Sequence, residues 1–239
     1  MSDASTPAAG FDIGLVIFPR ITQLDITGPF EILARIPGAR IHWIWKTLEP
    51  VQSDAGMTLI PTVDFATCPK LDVICVPGGP GVNALMEDDA VLDFLRARAA
   101  EVRLLTSVCA GSLVLGAAGL LVGQRAACHW LSRDMLAEFG AIPDPARIVV
   151  DGKRISGGGV TAGIDFAFAV VAALVGEAKA REIQLLLEYQ PAPPFTGGTP
   201  ETADPALLAQ VRTMVAPMIE ARRATIRRAA AKLELARKP

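Results

Sequence analysis

Four cysteines and two histidines are the only soft nucleophiles and imidazoles in the 239-residue chain, and one cysteine stands in a setting suited to covalent chemistry. Cys109 lies in Ser107-Val-Cys-Ala-Gly111, directly after an apolar β-branched run and directly before a glycine-bearing helix start. A strand that turns sharply into a helix lifts the intervening side chain out of the sheet, and small flanking residues tolerate that turn. A thiol placed there meets the free N–H groups and partial positive charge of a helix amino terminus, so the sequence predicts a pKa drawn down toward the thiolate. The alternative is a buried cysteine that acts as a small hydrophobe.

Gly78-Gly79 closes another strand within Pro77-Gly-Gly-Pro-Gly81. Glycine belongs where bare backbone must approach a reacting atom or adopt positive φ. The amides of Gly79 and Ala110 are therefore candidates to stabilise developing negative charge, and Gly78 is a candidate pocket residue. A plain turn is the competing reading of this loop. Asp25 falls in a predicted strand-to-helix loop at the carboxyl end of the first strand, where open α/β sheets bind ligands; its competing role is a helix cap. His129, in Cys-His-Trp, and Thr161, after Gly157-Gly158-Gly159, are further pocket candidates. His129 also reads as a hydrogen-bonded structural histidine, as does His42 between apolar strand residues. Cys75 and Cys128 read as packing, Ser107 and Ser112 as turn support, and Asp165 and Tyr189 as support. Neither the histidines nor the scattered carboxylates form a ligand cluster, so no metal is expected.

These residues need strands and helices to position them. Strands are predicted over residues 13–18, 41–45, 71–76 and 102–108, with hairpins over 51–61 and across Asp151-Gly152. Helices are predicted within 25–35, starting near Pro29 so that Asp25 precedes the first turn, and over 82–86, 89–100, 110–119, 130–139, 161–175, 177–189 and 205–235. Gly140 caps one of them at its carboxyl end and Thr161 another at its amino end. Strands alternating with helices predict an α/β fold with a mainly parallel, doubly wound sheet and helices on both faces. The expected organisation is a flexible arm over 1–10, an α/β domain over 11–190, and over 191–239 a Pro/Gly-rich arm and basic C-terminal helix packed on the same domain.

The runs Asp25-Ile-Thr-Gly-Pro29, Asp72-Val-Ile-Cys-Val-Pro-Gly-Gly79, Ser107-Val-Cys-Ala-Gly111, Cys128-His-Trp130, Gly157-Gly-Gly159 and Tyr189-Gln-Pro-Ala-Pro-Pro-Phe195 together resemble the ThiJ/PfpI (DJ-1-like) superfamily of flavodoxin-like proteins. The resemblance extends from about Ile13 to Pro205 and is strongest to its isocyanide-hydrating members. It implies a homodimeric enzyme without a cofactor that adds water to an isocyanide, R–N≡C, to give an N-substituted formamide. By that resemblance Cys109 is the nucleophile, forming a thioimidate, and Asp25 the general acid and base, where many other members carry glutamate. Asp25 then has to hold a proton when substrate arrives, and burial raises a carboxyl pKa in that direction. A hydroxyl residue can follow the nucleophile in hydratases of this kind, whereas Ala110 leaves only its backbone amide. Protease-like and deglycase-like members carry histidine there.

Composition narrows the classes. At 51% hydrophobic and 20% charged, the chain is not disordered, and at 5% aromatic its core must be built from aliphatic residues. A formal charge of −2 gives no field for wrapping nucleic acid, although residues 220–239 hold seven basic and two acidic side chains. That basic stretch is expected to face water or pair with acidic surface. No segment reads as a signal peptide or membrane span, and the cysteines lack metal-type spacing, so a reducing cytoplasmic setting is expected. Two other classes stay open. One is a non-catalytic sensor related to AraC-type regulators, and the other is a different cysteine-dependent hydrolase or glyoxalase-like enzyme.

Overall fold

The computed structural model describes residues 10–237, so all but the last residue of the expected 1–10 arm lies outside the described residues. In chain order the elements are β1 (Phe11–Val16), α1 (Leu24–Leu33), β2 (Ala39–Trp45), the hairpin β3 (Val51–Gln52) and β4 (Thr58–Leu59), and β5 (Val63–Asp64). There follow β6 (Val73–Val76), α2 (Val82–Leu85), α3 (Asp89–Glu101), β7 (Leu104–Val108), α4 (Gly111–Ala117) and β8 (Arg125–Ala126). After a 3₁₀ helix (Arg133–Phe139) come β9 (Ile142–Pro143), β10 (Ile148–Asp151), β11 (Arg154–Gly157), α5 (Ala162–Val175), α6 (Glu177–Leu186) and α7 (Pro205–Arg237).

Seven strands form one sheet in the order β10-β11-β7-β6-β1-β2-β5, and β10 alone among them runs antiparallel. The chain moves one way across the sheet from β1 to β2 and the other way from β6 to β7. With right-handed crossovers, α1 and α3 must fall on opposite faces. The packing agrees: α5 lies against α1 and α6, while α4 lies against α2, α3, α7 and the 3₁₀ helix. The reversal leaves a crevice at the carboxyl ends of β1 and β6, the position where ligands bind in sheets of this type.

The central strands are buried on both faces, as helices on each side require. Ile13, Leu15, Val73, Ile74, Val76 and Val108 are each fully buried. Each such side chain contributes roughly 1.5–3 kcal/mol of burial, so the aliphatic core expected from the scarcity of aromatics is sufficient to hold the sheet.

Local differences from the predicted elements have physical causes. Pro29 lies inside α1 rather than in its first turn, so Asp25 is a helical residue and not a loop residue. The helix forgoes one backbone bond there, because proline has no N–H; in exchange the Pro29 ring packs at the α1–α5 contact against Gly163. Of the predicted helix 130–139 only Arg133–Phe139 is helical, as a 3₁₀ helix, with Gly140 at φ 74° as its left-handed cap. Thr161 precedes α5 but makes no capping hydrogen bond with its side chain. The two-residue strands β5, β8 and β9 were not predicted, since they are too short to carry a periodicity. The Asp151-Gly152 hairpin forms as expected, with Gly152 at φ 58°.

The basic helix α7 lies on the domain. Arg228 pairs with Glu87 at 2.6 Å and Lys232 with Asp89 at 2.5 Å, both near the start of α3. Among the described residues no helix is long and apolar enough to cross a membrane.

One glycine fixes how closely α4 approaches the sheet. A Cβ on Gly111 would stand 2.0 Å from the Val76 carbonyl oxygen, which is backbone and cannot yield cheaply. Gly111→Ala should therefore destabilise the fold by about 2 kcal/mol or more. Gly198→Ala, in open space, should leave the urea midpoint nearly unchanged; equal midpoints for the two variants would show that the close approach does not matter.

Candidate active site

Three strand exits converge at the crevice. β7 delivers Cys109, β6 delivers Pro77-Gly78-Gly79, and the segment after β1 leads into α1 and Asp25. Cys109 has φ 56°, a left-handed conformation rarely adopted by non-glycine residues. Its own amide donates to the Gly157 carbonyl at 3.0 Å, which ties the turn to β11. Ala110 follows as the residue that caps α4. The strand, sharp turn and helix expected around Cys109 are thus all present.

Asp25 does not cap its own helix. Its Oδ2 accepts the Gly78 amide at 2.8 Å, across 53 residues of chain, and its Oδ1 is buried without a hydrogen-bond partner. The carboxyl is fully buried. Gly78 has to be glycine, because a Cβ would sit 2.8 Å from Asp25 Oδ2, 2.9 Å from Cys109 Cβ and 2.6 Å from the Ala110 nitrogen. Those distances place acid, thiol and amide around one backbone atom. Gly79, at φ 127°, presses against Thr22 and Arg20 backbone in the same way. Among the described residues, the amides of Gly79 and Ala110 donate to no backbone carbonyl, and the Ala110 amide faces the Cys109 thiol.

Burial dominates the electrostatics. It raises Asp25 from 3.8 to about 7, against the lowering influence of the Gly78 amide and of hydrogen bonding with the Cys109 thiol; the Asp54 charge adds a further rise. Cys109 is 6% exposed. Burial pushes its thiol well above the usual range, and the charges of Asp25 and Cys128 push it further, while the Ala110 amide opposes them. The thiolate expected from the helix start is therefore not the resting form. In a dry site beside a carboxyl, desolvation outweighs one short helix terminus.

The other candidates are arranged differently. His129 and Thr161 line a groove of about 300 Å³ together with Cys128, Arg147, Gly158 and Gly159. His129 Nδ1 accepts the Leu131 amide at 3.3 Å, and burial followed by the Arg222 charge lowers its pKa to about 4, so the ring is neutral. Thr161 Oγ1 accepts from Arg147 at 3.5 Å. Asp165 accepts from Arg147 at 2.5 Å and from the Tyr189 hydroxyl at 2.9 Å, joining the start of α5 to the end of α6. Ser107 and Ser112 share a hydrogen bond of 2.8 Å, and Ser112 donates to the Ala127 carbonyl. Cys75 and Cys128 are buried, with pKa values pushed to about 12 by desolvation. His42 meets Asp12 at 2.8 Å. Among the described residues no three His, Cys, Asp or Glu side chains are grouped as a metal site would require.

Arg222 was not singled out by sequence reasoning. It heads a buried stripe of α7 at 222, 225, 226, 229, 230 and 233, a helical spacing that the sequence does carry. An arginine in register with buried residues was the available signal.

With a doubly wound sheet, a cysteine elbow and an adjoining acid in place, the chain belongs to the DJ-1/PfpI family, whose pattern it matches over residues 12–173. It is 53% identical to the isonitrile hydratase of Pseudomonas putida, over 93% of this chain and 98% of that protein. A solved ThiJ/PfpI family protein from Pseudomonas syringae superposes with a TM-score of 0.89 at 41% identity, covering 95% of this chain and 97% of that one. A glutathione-independent glyoxalase of Caenorhabditis elegans is 28% identical over 67% of this chain and 86% of its own.

The raised Asp25 pKa links stability to pH. The folded form holds the proton to about pH 7 whereas an ordinary aspartate loses it near 3.8, so the unfolded chain loses its proton first as pH rises. Stability from this group is complete below about pH 4 and is lost progressively up to about pH 7, by on the order of 3–4 kcal/mol. Asp25→Asn removes the ionisation and can keep the Gly78 bond. Its urea midpoint should exceed that of the wild type by more at pH 8 than at pH 4.5; a difference that stays constant with pH would contradict this.

Proposed function

We propose that this chain is an isocyanide hydratase, converting R–N≡C and water to the N-substituted formamide. The observation that carries the reading is the Cys109–Asp25 pair, a buried thiol beside a buried carboxyl that titrates near neutrality. The 53% identity to an isonitrile hydratase supports it, isonitrile and isocyanide being one functional group. The terminal carbon of that group accepts both a proton and a nucleophile, so one acid and one thiolate meet its needs.

Above about pH 7 the pair holds one proton. That proton passes from the Cys109 thiol to Asp25 as Sγ attacks the isocyanide carbon, and Asp25 delivers it to the same carbon. The product is the thioimidate R–N=CH–S–Cys109, with no change in the number of protons. Asp25, again a carboxylate, takes a proton from water, whose oxygen adds to the thioimidate carbon. Asp25 passes that proton to the imine nitrogen, the C–S bond breaks, and the proton of the added hydroxyl restores the Cys109 thiol as formamide leaves. The amides of Gly79 and Ala110 stabilise the anionic sulfur and the adding oxygen. A buried site suits a small neutral substrate and keeps bulk water from surrounding the pair during attack.

The same reading includes a homodimer in a reducing cytoplasm. Leu185, Leu186 and Phe195 are exposed at 84%, 72% and 84%, and an apolar groove lined by Leu24, Gly28, Ile164, Phe168 and Leu187 lies between α1 and α5. Sedimentation at micromolar concentration should give twice the chain mass of 25.2 kDa; a monomer would reject the dimer.

Purified protein mixed with a simple alkyl isocyanide should consume it and release one formamide per isocyanide. Cys109→Ala should show no turnover, and Asp25→Asn should lose roughly 10²–10⁴ in kcat. In the wild type kcat/KM should rise with pH through about 7, as the pair loses its second proton, and that limb should vanish in Asp25→Asn. Wild-type turnover in the two variants would overturn the mechanism, and no formamide from any simple isocyanide would overturn the activity.

A further inference from the structure

Helix α7 lies outside the part of the chain that the family pattern covers, yet it sends one charged side chain into the site. Arg222 is 4% exposed. Its Nε donates to Asn83 Oδ1 at 3.1 Å, its Nη1 to Ser132 Oγ at 2.9 Å and its Nη2 to the Gly79 carbonyl at 3.4 Å. All three acceptors are neutral, and among the described residues no carboxylate pairs with this guanidinium. Taking a cation out of water without a counter-ion is costly, and arginine cannot escape by losing its proton. A surface-binding role does not require that arrangement. The neighbouring Arg228 and Lys232 hold α7 to acidic residues at the protein surface instead.

We propose that Arg222 is a positioning residue for Cys109: it anchors the Gly79 end of the oxyanion loop and supplies a buried positive charge that stabilises the sulfur anion as it forms. The claim rests on the hydratase reading only for the reaction served, since the effect on the thiol exists without substrate. Burial lowers the Arg222 pKa, with Cys128 and then Cys109 opposing it, while the Arg222 charge favours the Cys128 thiolate and opposes protonation of His129. The other charged or titratable groups around the thiol are Asp25, from α1, and Cys128, both of which raise its pKa, while Arg133, from the 3₁₀ helix, acts on Cys128. Cys128 and His129 are neutral at pH 7, so Arg222 faces a site whose own groups carry at most one negative charge in the pair. As the thiol's proton passes to Asp25 during attack, the single negative charge of the pair moves onto the Cys109 sulfur, and that is where a buried cation has its effect. The fork geometry explains the residue type, because one planar group reaches α2, the segment before the 3₁₀ helix, and the Gly79 carbonyl at once.

The test reads the thiol directly. Carbamidomethylation of Cys109 by iodoacetamide is followed by mass spectrometry of its peptide as a function of pH, in the intact protein without isocyanide. Arg222→Met, which keeps an apolar stem, should move the pH midpoint for Cys109 upward by about one unit and slow labelling tenfold below that midpoint. Arg222→Lys keeps the charge and should restore most of the rate. Asn83→Asp sets a carboxylate against the same guanidinium, leaves α7 in place, and should shift the midpoint in the same direction as Arg222→Met. Arg228→Gln, which breaks only a surface pair on α7, should leave it unchanged. If Arg222→Met does not fold, Asn83→Asp decides. A folded Arg222→Met or Asn83→Asp with the wild-type labelling profile, or Arg222→Lys behaving like Arg222→Met, overturns the proposal. Failure of isocyanide turnover alone would leave this result standing and reject only the hydratase reading.

Discussion

The hydrogen bond from the Gly78 amide to Asp25 Oδ2 joins the exits of two strands that lie side by side but belong to different arms of the sheet. Everything at the site depends on it. It holds a carboxyl away from bulk solvent, leaves the second oxygen buried without a partner, and forces position 78 to lack a side chain. A carboxylate with one backbone donor in a dry crevice is poorly solvated, so its proton is retained to near neutrality. The fold supplies the crevice by reversing strand order at β1, and the helices on both faces keep it dry.

The parts of this arrangement that could be read from sequence are those that are local. Cys109 stands between a strand and a helix in consecutive residues, so its elbow is written in five letters. The double glycine at 78 and 79 is legible for the same reason, although the 2.8 Å reason for it is not. Asp25 was legible as a residue of the first strand's exit, but its place inside α1 was hidden by Pro29, which ordinarily marks a helix start. What lured the reading there is the absence of any sequence cue that Gly163, well over a hundred residues away, leaves room for the proline ring.

Electrostatics was legible in direction for the acid and misread for the thiol. The upward shift of Asp25 follows from burial alone. For Cys109 the helix amino terminus pointed down, and only the three-dimensional neighbours, a carboxyl and a second buried cysteine, reveal the larger opposing effect. Arg222 was equally hidden. It stands 143 residues from Gly79, and within the tail its charge looks like that of Arg223 or Arg227. Only its register with the buried stripe distinguishes it, and a register implies burial without naming what is met there.

The left-handed backbone at Cys109 carries a consequence for how such a chain can change over time. A side chain at φ 56° costs about 1–2 kcal/mol relative to glycine, which adopts this region freely. Chemistry and stability therefore make opposite demands on a single codon, and the more durable protein at this position is the inert one. Descendants relieved of the reaction would be expected to drift toward glycine there while keeping the sheet intact. A relative that retains cysteine in this conformation bears a standing expense that packing alone gives no reason to keep.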